Sequence, residues 1–85
     1  MQVTLEIPEY DPSKGFTFQW EEGFSIQTSI EGSVILMRAN KEGLLSLANH
    51  LLNLAQDDVP PSTHLHLDEW NSLEGSSSEM IIEKI

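Results

Sequence analysis

The stretch Asn40–Asp58, NKEGLLSLANHLLNLAQDD, decides the fold, because it is the one segment long and periodic enough to make a full helix. Leu44, Leu47, Ala48, Leu51, Leu54 and Ala55 follow the i, i+3, i+4, i+7 spacing of one helical face, and Leu45 and Leu52 widen it. Ser46, Asn49, His50, Asn53 and Gln56 fall on the other side. So broad a stripe predicts a helix over about 41–57 lying across a sheet, not a narrow coiled-coil seam, with the polar residues, His50 among them, at the surface. Asn40 is placed to cap the helix, its side-chain oxygen taking an otherwise unpaired backbone N–H. Glu42 suits the positive end of the helix dipole. Gly43 costs about 1 kcal/mol against alanine in a helix, so it either permits a close backbone approach or is simply tolerated. Pro60 and Pro61 end the element, since proline lacks a donor and restricts the residue before it.

Outward from the helix, the apolar segments are short and strand-like. Val3, Leu5 and Ile7 alternate with Gln2, Thr4 and Glu6. Pro8, Asp11, Pro12 and Gly15 mark a turn region, after which Phe16, Phe18 and Trp20 share a face. Phe24–Ile30 and Ser33–Ala39 flank the turn signal Glu31-Gly32, and the apolar run Val34–Met37 suggests a central strand. Thr63–Trp70 turns Leu65 and Leu67 one way and His64, His66 and Asp68 the other. A glycine- and serine-rich loop, 71–78, leads to a last strand at Glu79–Ile85. The expected fold is α+β: an antiparallel sheet of about five to six strands with the one helix across one face, forming a single domain over 1–85.

Composition narrows the function classes. Fourteen acidic residues face four basic ones, for a formal net charge of −10. Such a charge disfavours nucleic acid and anionic membranes and steers cationic proteins inward. Solubility alone also accounts for an acidic surface. The N-terminus lacks the pattern of a signal peptide, and no apolar run approaches the roughly 20 residues that span a bilayer. With no cysteine, there is neither a disulfide nor thiol chemistry, which fits a cytoplasmic protein.

His64, His66 and Asp68 are the only metal-like constellation, at i, i+2 and i+4 on one strand face. H-x-H is common by chance and a solvated polar face explains it equally, so neither a metal nor any other cofactor is expected. No nucleophile elbow and no glycine-rich phosphate loop is present, and an enzyme is not expected. The acidic pairs carry more meaning as surface. Asp57 and Asp58 sit at the negative end of the helix dipole, where each costs about 0.3–1 kcal/mol. Asp68, Glu69 and Glu74 surround Trp70, and an aromatic ringed by carboxylates is the composition of a site for a basic protein. Closure of the core by Trp70 is the competing account. Trp20 beside Glu21-Glu22 repeats the pattern.

The second half of the chain resembles a known family. N-K-E-G-L at Asn40–Leu44, L-A-x-H-L-L at Leu47–Leu52, A-Q-D-D-V-P at Ala55–Pro60 and H-L-D-E-x-N-S-L-E at His66–Glu74 resemble the bacterial immunity-protein family numbered thirty-two in polymorphic toxin systems. The resemblance implies a small, cytoplasmic, non-enzymatic protein that binds and neutralises a toxin domain by occlusion or allosteric block. It carries over no site residues. Charge then makes Asp57, Asp58, Asp68, Glu69, Trp70 and Glu74 the expected contact residues for a basic toxin. Two alternatives stand beside this one: a homodimeric structural or regulatory module pairing through a sheet edge, and a small metal-dependent enzyme at His64, His66 and Asp68.

Overall fold

The computed structural model describes residues 1–85. Its elements, in order, are β1 (Ile26–Glu31), β2 (Val34–Ala39), α1 (Lys41–Leu54), β3 (His64–Leu67) and β4 (Met80–Glu83). β1 and β2 form an antiparallel hairpin in which Ile26 faces Ala39 and Glu31 faces Val34. Its turn is made by Gly32 at φ 63°, a left-handed backbone that glycine adopts without strain. β3 and β4 form a second antiparallel pair, His64 opposite Glu83 and Leu67 opposite Met80.

These are four strands in two separate two-stranded sheets, so the expected single sheet of five to six strands is wrong. Two physical reasons account for the difference. Residues 2–7 and 16–20 alternate as strands do, yet the hydrogen bonds made in and beside them run to helix side chains, Asn49 Nδ2 donating to Glu6 O among them. The N–H groups of Tyr10, Gln19 and Glu21 donate to Gln56 Oε1, Asn49 Oδ1 and Ser46 Oγ. No ladder is needed to satisfy them. Secondly, the segment joining β3 to β4 touches the free edge of β1 only in places. Glu74 N–H donates to Ile26 O and Ser78 N–H to Thr28 O, while Ser77 Oγ takes Thr28 N–H. A turn between Glu74 and Ser77 interrupts the strand, and a serine hydroxyl stands in for a ladder bond. β2 is therefore not central. It pairs with β1 alone, and Val34 and Ile35 are exposed.

α1 begins as expected. Asn40 Oδ1 accepts from Gly43 N–H at 2.8 Å and also from Ser25 N–H, while its Nδ2 donates to Gly23 O. Gly43 is buried because the backbone at Ser25 crosses it closely. The helix is turned the opposite way from its hydropathy. Its buried residues are Gly43, Ser46, Leu47, Asn49, His50, Asn53 and Leu54. Leu44, Leu51 and Leu52 are 52, 42 and 48 % exposed. Only Leu47 and Leu54, two turns apart, enter the core.

Those two leucines organise two apolar clusters. Leu47 packs with Ile26, Leu67 and Leu73, with Phe24, Met37, Ala39, Met80 and Ile82 around them. Leu54 packs with Val59 and Leu65, with Tyr10, Phe16, Phe18 and Ile82 around them. Leu65 and Leu67 thus face inward as their alternation requires, and β3 runs antiparallel to α1.

Candidate partner-binding surface

The loop from Asp68 to Ser78 is the most constructed part of the surface. It leaves β3 at the buried Leu67 and returns to the core at the buried Leu73. Between these anchors, Asp68 Oδ1 accepts the N–H groups of Trp70 and Asn71 at 2.9 and 3.1 Å. Asn71 Oδ1 takes Asp68 N–H in return, and its Nδ2 donates to His66 O. Short Asp and Asn side chains make such reciprocal turns because they reach the backbone two or three residues away. Trp70 rides on the crest, 89 % exposed. It does not close the core.

The carboxylates around Trp70 are held as well. Glu69 Oε2 accepts from Ser76 N–H, and Glu74 Oε1 accepts from Ser25 Oγ. None of them is neutralised, for the one ion pair in the structure is His66–Glu79 at 3.1 Å. This face therefore presents an exposed indole, its backbone tied into a hydrogen-bonded turn, amid uncompensated negative charge.

The other two expected contact residues lie elsewhere. Asp57 and Asp58 are exposed just past the C-terminus of α1, beside the Leu54–Val59–Leu65 cluster. Asp68, Glu69, Trp70 and Glu74 lie toward the helix N-terminus, where Glu74 bonds Ile26 and Ser25 next to the Asn40 cap. The six residues form two patches at opposite ends of α1. At the C-terminal end, Lys84 Nζ donates to Gln56 O at 2.6 Å, supplying a cation where the last turn has none.

The histidines do not assemble a metal site. His64 and His66 are exposed with rings 4.8 Å apart, but Nδ1 of His64 bonds Ser62 O, and His66 bonds Glu79. Asp68 lies beyond the strand end with its carboxylate in the turn described above. No three His, Asp or Glu side chains come together to hold a metal ion.

His50 departs most from expectation. It is 1 % exposed, not a surface residue, and its Nε2 has no hydrogen-bond partner. The ring packs between Phe18 at 4.4 Å and Trp20 at 4.1 Å, the latter edge-on. Burial pushes its pKa down to about 4, so the ring is neutral at pH 7. It lines an open cleft of about 290 Å³ with Phe16, Phe18, Trp20 and the β3 residues 64–67. The sequence held one part of this arrangement, the periodicity of a second face, and not which face turns inward. Ser46, Asn49, Asn53 and Gln56 are as periodic as the leucines, and Phe16, Phe18 and Trp20 supply an apolar edge to lay against them.

No helix is long and apolar enough to cross a membrane. No curated protein and no solved structure matches the chain. A family model described as Immunity protein 32 matches residues 34–85, which include the β1–β2 hairpin's second strand, α1, the Trp70 loop and the final hairpin. With more than half of its length so matched, the chain belongs to the immunity protein 32 family.

Proposed function

We propose that this protein binds and neutralises a cognate bacterial toxin domain, and that the face bearing Trp70, Asp68, Glu69 and Glu74 makes the contact. Membership of an immunity family supports the class of function. The observation that carries the site is the indole of Trp70, 89 % exposed on a turn whose backbone is anchored between two buried leucines. A tied turn spares the backbone ordering cost that an aromatic on a mobile loop would add to binding. Tryptophan is also among the residues that dominate interface energies.

The partner is basic. A chain of net charge −10, whose carboxylates have no lysine or arginine partners, attracts cations over a Debye length of about 8 Å at physiological salt. A toxin with a cationic substrate groove would be filled as if by nucleic acid, gaining association rate from charge and residence time from Trp70. The action is occlusion, without bond-making, in the cytoplasm of the producing cell. Asp57 and Asp58 add to the overall field from the far end of α1.

The test is binding kinetics against the cognate toxin domain. Asp68→Lys/Glu69→Lys should slow association about tenfold or more at low salt and leave dissociation little changed. Trp70→Ala should instead speed dissociation, by about 2 kcal/mol or more, a factor of roughly 30. Unchanged rates in both variants, with folding intact, would remove this face from the interface.

A further inference from the structure

We propose that the exposed leucine stripe of α1 pairs two copies of this chain, helix against helix and antiparallel. The stripe is Lys41, Leu44, Ala48, Leu51 and Ala55, with Leu52 at its side. Its members are separated by three, four, three and four positions, the spacing of a heptad seam. Leu44, Leu51 and Leu52 are each about half exposed, although leucine is a residue that folding ordinarily buries.

Two features make a second copy the occupant. The first is shape. A two-fold axis midway between Ala48 and Leu51 sets Leu44 against the partner copy's Ala55, and Ala48 against its Leu51. Every contact then joins a large side chain to a small one, which lets two helices approach closely. A two-fold contact must be self-complementary in this way.

The second is charge. The stripe carries no carboxylate, and its one charged residue, Lys41, is a cation. A basic toxin gains nothing here. The same antiparallel pairing brings Lys41, at the start of one helix, toward Asp57 and Asp58, just past the end of the other. It also opposes the two helix dipoles. A seam one helix wide buries less than the roughly 800 Å² per partner of a standard interface, so the dimer is weak and concentration-dependent. The Trp70 face is separate from this stripe, and the pairing does not depend on the toxin-binding proposal.

Sedimentation equilibrium of the full chain, from micromolar to millimolar concentration, is expected to show a reversible monomer–dimer equilibrium. Leu51→Arg should weaken it about tenfold or more while leaving the dilute monomer folded by circular dichroism, because Leu51 is already partly in water. Lys41→Glu should weaken it as well, and combining Lys41→Glu with Asp57→Lys and Asp58→Lys should restore it. A chain that stays monomeric at millimolar concentration overturns the proposal. So does a dimer indifferent to Leu51→Arg, which would place the contact elsewhere, such as the edge of β2. Failure of the charge swap to restore pairing overturns the antiparallel arrangement and the proposal with it.

Discussion

The two long faces of α1 are opposites, and each lies where the other would be expected. The polar face, with Ser46, Asn49, His50 and Asn53, is buried, and the apolar face, with Leu44, Leu51 and Leu52, looks into water. The lesson lies in what covers the helix. Its cover is the irregular chain 5–21, whose N–H groups have no strand to pair with. Tyr10 is half-buried and Gln19 and Glu21 are exposed, and the part-buried bonds from their N–H groups to the helix each contribute about 0.5–1.5 kcal/mol. A half-exposed leucine forfeits only about 1 kcal/mol of the 1.5–3 available on full burial. The polar face wins the interior because it serves an irregular backbone, and the leucines that remain inside, Leu47 and Leu54, are those on its border.

The largest test of this contrast compares leucines on one helix. Leu54→Ala removes a side chain at the centre of a core cluster and should cost about 2–5 kcal/mol in urea unfolding. A loss below about 1 kcal/mol would mean that the border leucines are not holding the helix down.

His50 tests the polar face through pH. Its pKa is 6.5 when unfolded and about 4 when buried. Between those values the unfolded chain takes up a proton that the folded chain refuses. The stability contributed by the neutral ring is therefore whole above pH 6.5 and is lost as pH falls to 4, by up to about 3 kcal/mol. Carboxylates titrate over part of the same range, so the quantity to measure is the difference between the parent and His50→Leu at pH 7 and pH 4.5. Parallel pH dependence in the two proteins would show that His50 is not shut away from water.

Gly43 gives an effect of intermediate size. A Cβ there would lie 2.5 Å from Ser25 O and 3.0 Å from Ile26 Cγ1. Helix propensity favours Gly43→Ala by about 1 kcal/mol, whereas forcing the Ser25 backbone off the helix costs about 1–3 kcal/mol. The variant should be destabilised by about 1 kcal/mol, and a more stable variant would show that the approach is loose. Differential scanning calorimetry decides the sign.

These positions also show what the sequence made legible. Local chemistry was readable: the Asn40 cap, the turn at Glu31-Gly32 and the inward Leu65 and Leu67 need only near neighbours. The orientation of α1 was not, because periodicity reveals two faces and not which of them meets the chain 5–21. Sheet count failed for the same reason. Alternation at Val3–Ile7 and Phe16–Trp20 fixes which side chains turn inward, while the partner of the backbone is set by residues some 25–46 positions away. For Trp70 both accounts were open in the sequence. Exposure follows from the Asp68–Asn71 turn, whose reciprocal bonds lift residue 70 away from the core.

The smallest effect probes the apolar face itself. Leu52 is 48 % exposed and takes no part in either core cluster. Glutamine has nearly the same helix propensity and a similar shape, so Leu52→Gln exchanges apolar surface for polar surface with little else changed. At micromolar concentration, where the proposed dimer dissociates, urea unfolding should move by less than about 0.5 kcal/mol. A loss above about 1 kcal/mol would mean that part of the chain covers Leu52 in solution, which would turn α1 back toward the orientation its hydropathy predicts. The same variant at millimolar concentration separates intramolecular cover from a second copy. Cover by the chain itself costs the same at every dilution, whereas cover by a partner fades as the dimer dissociates.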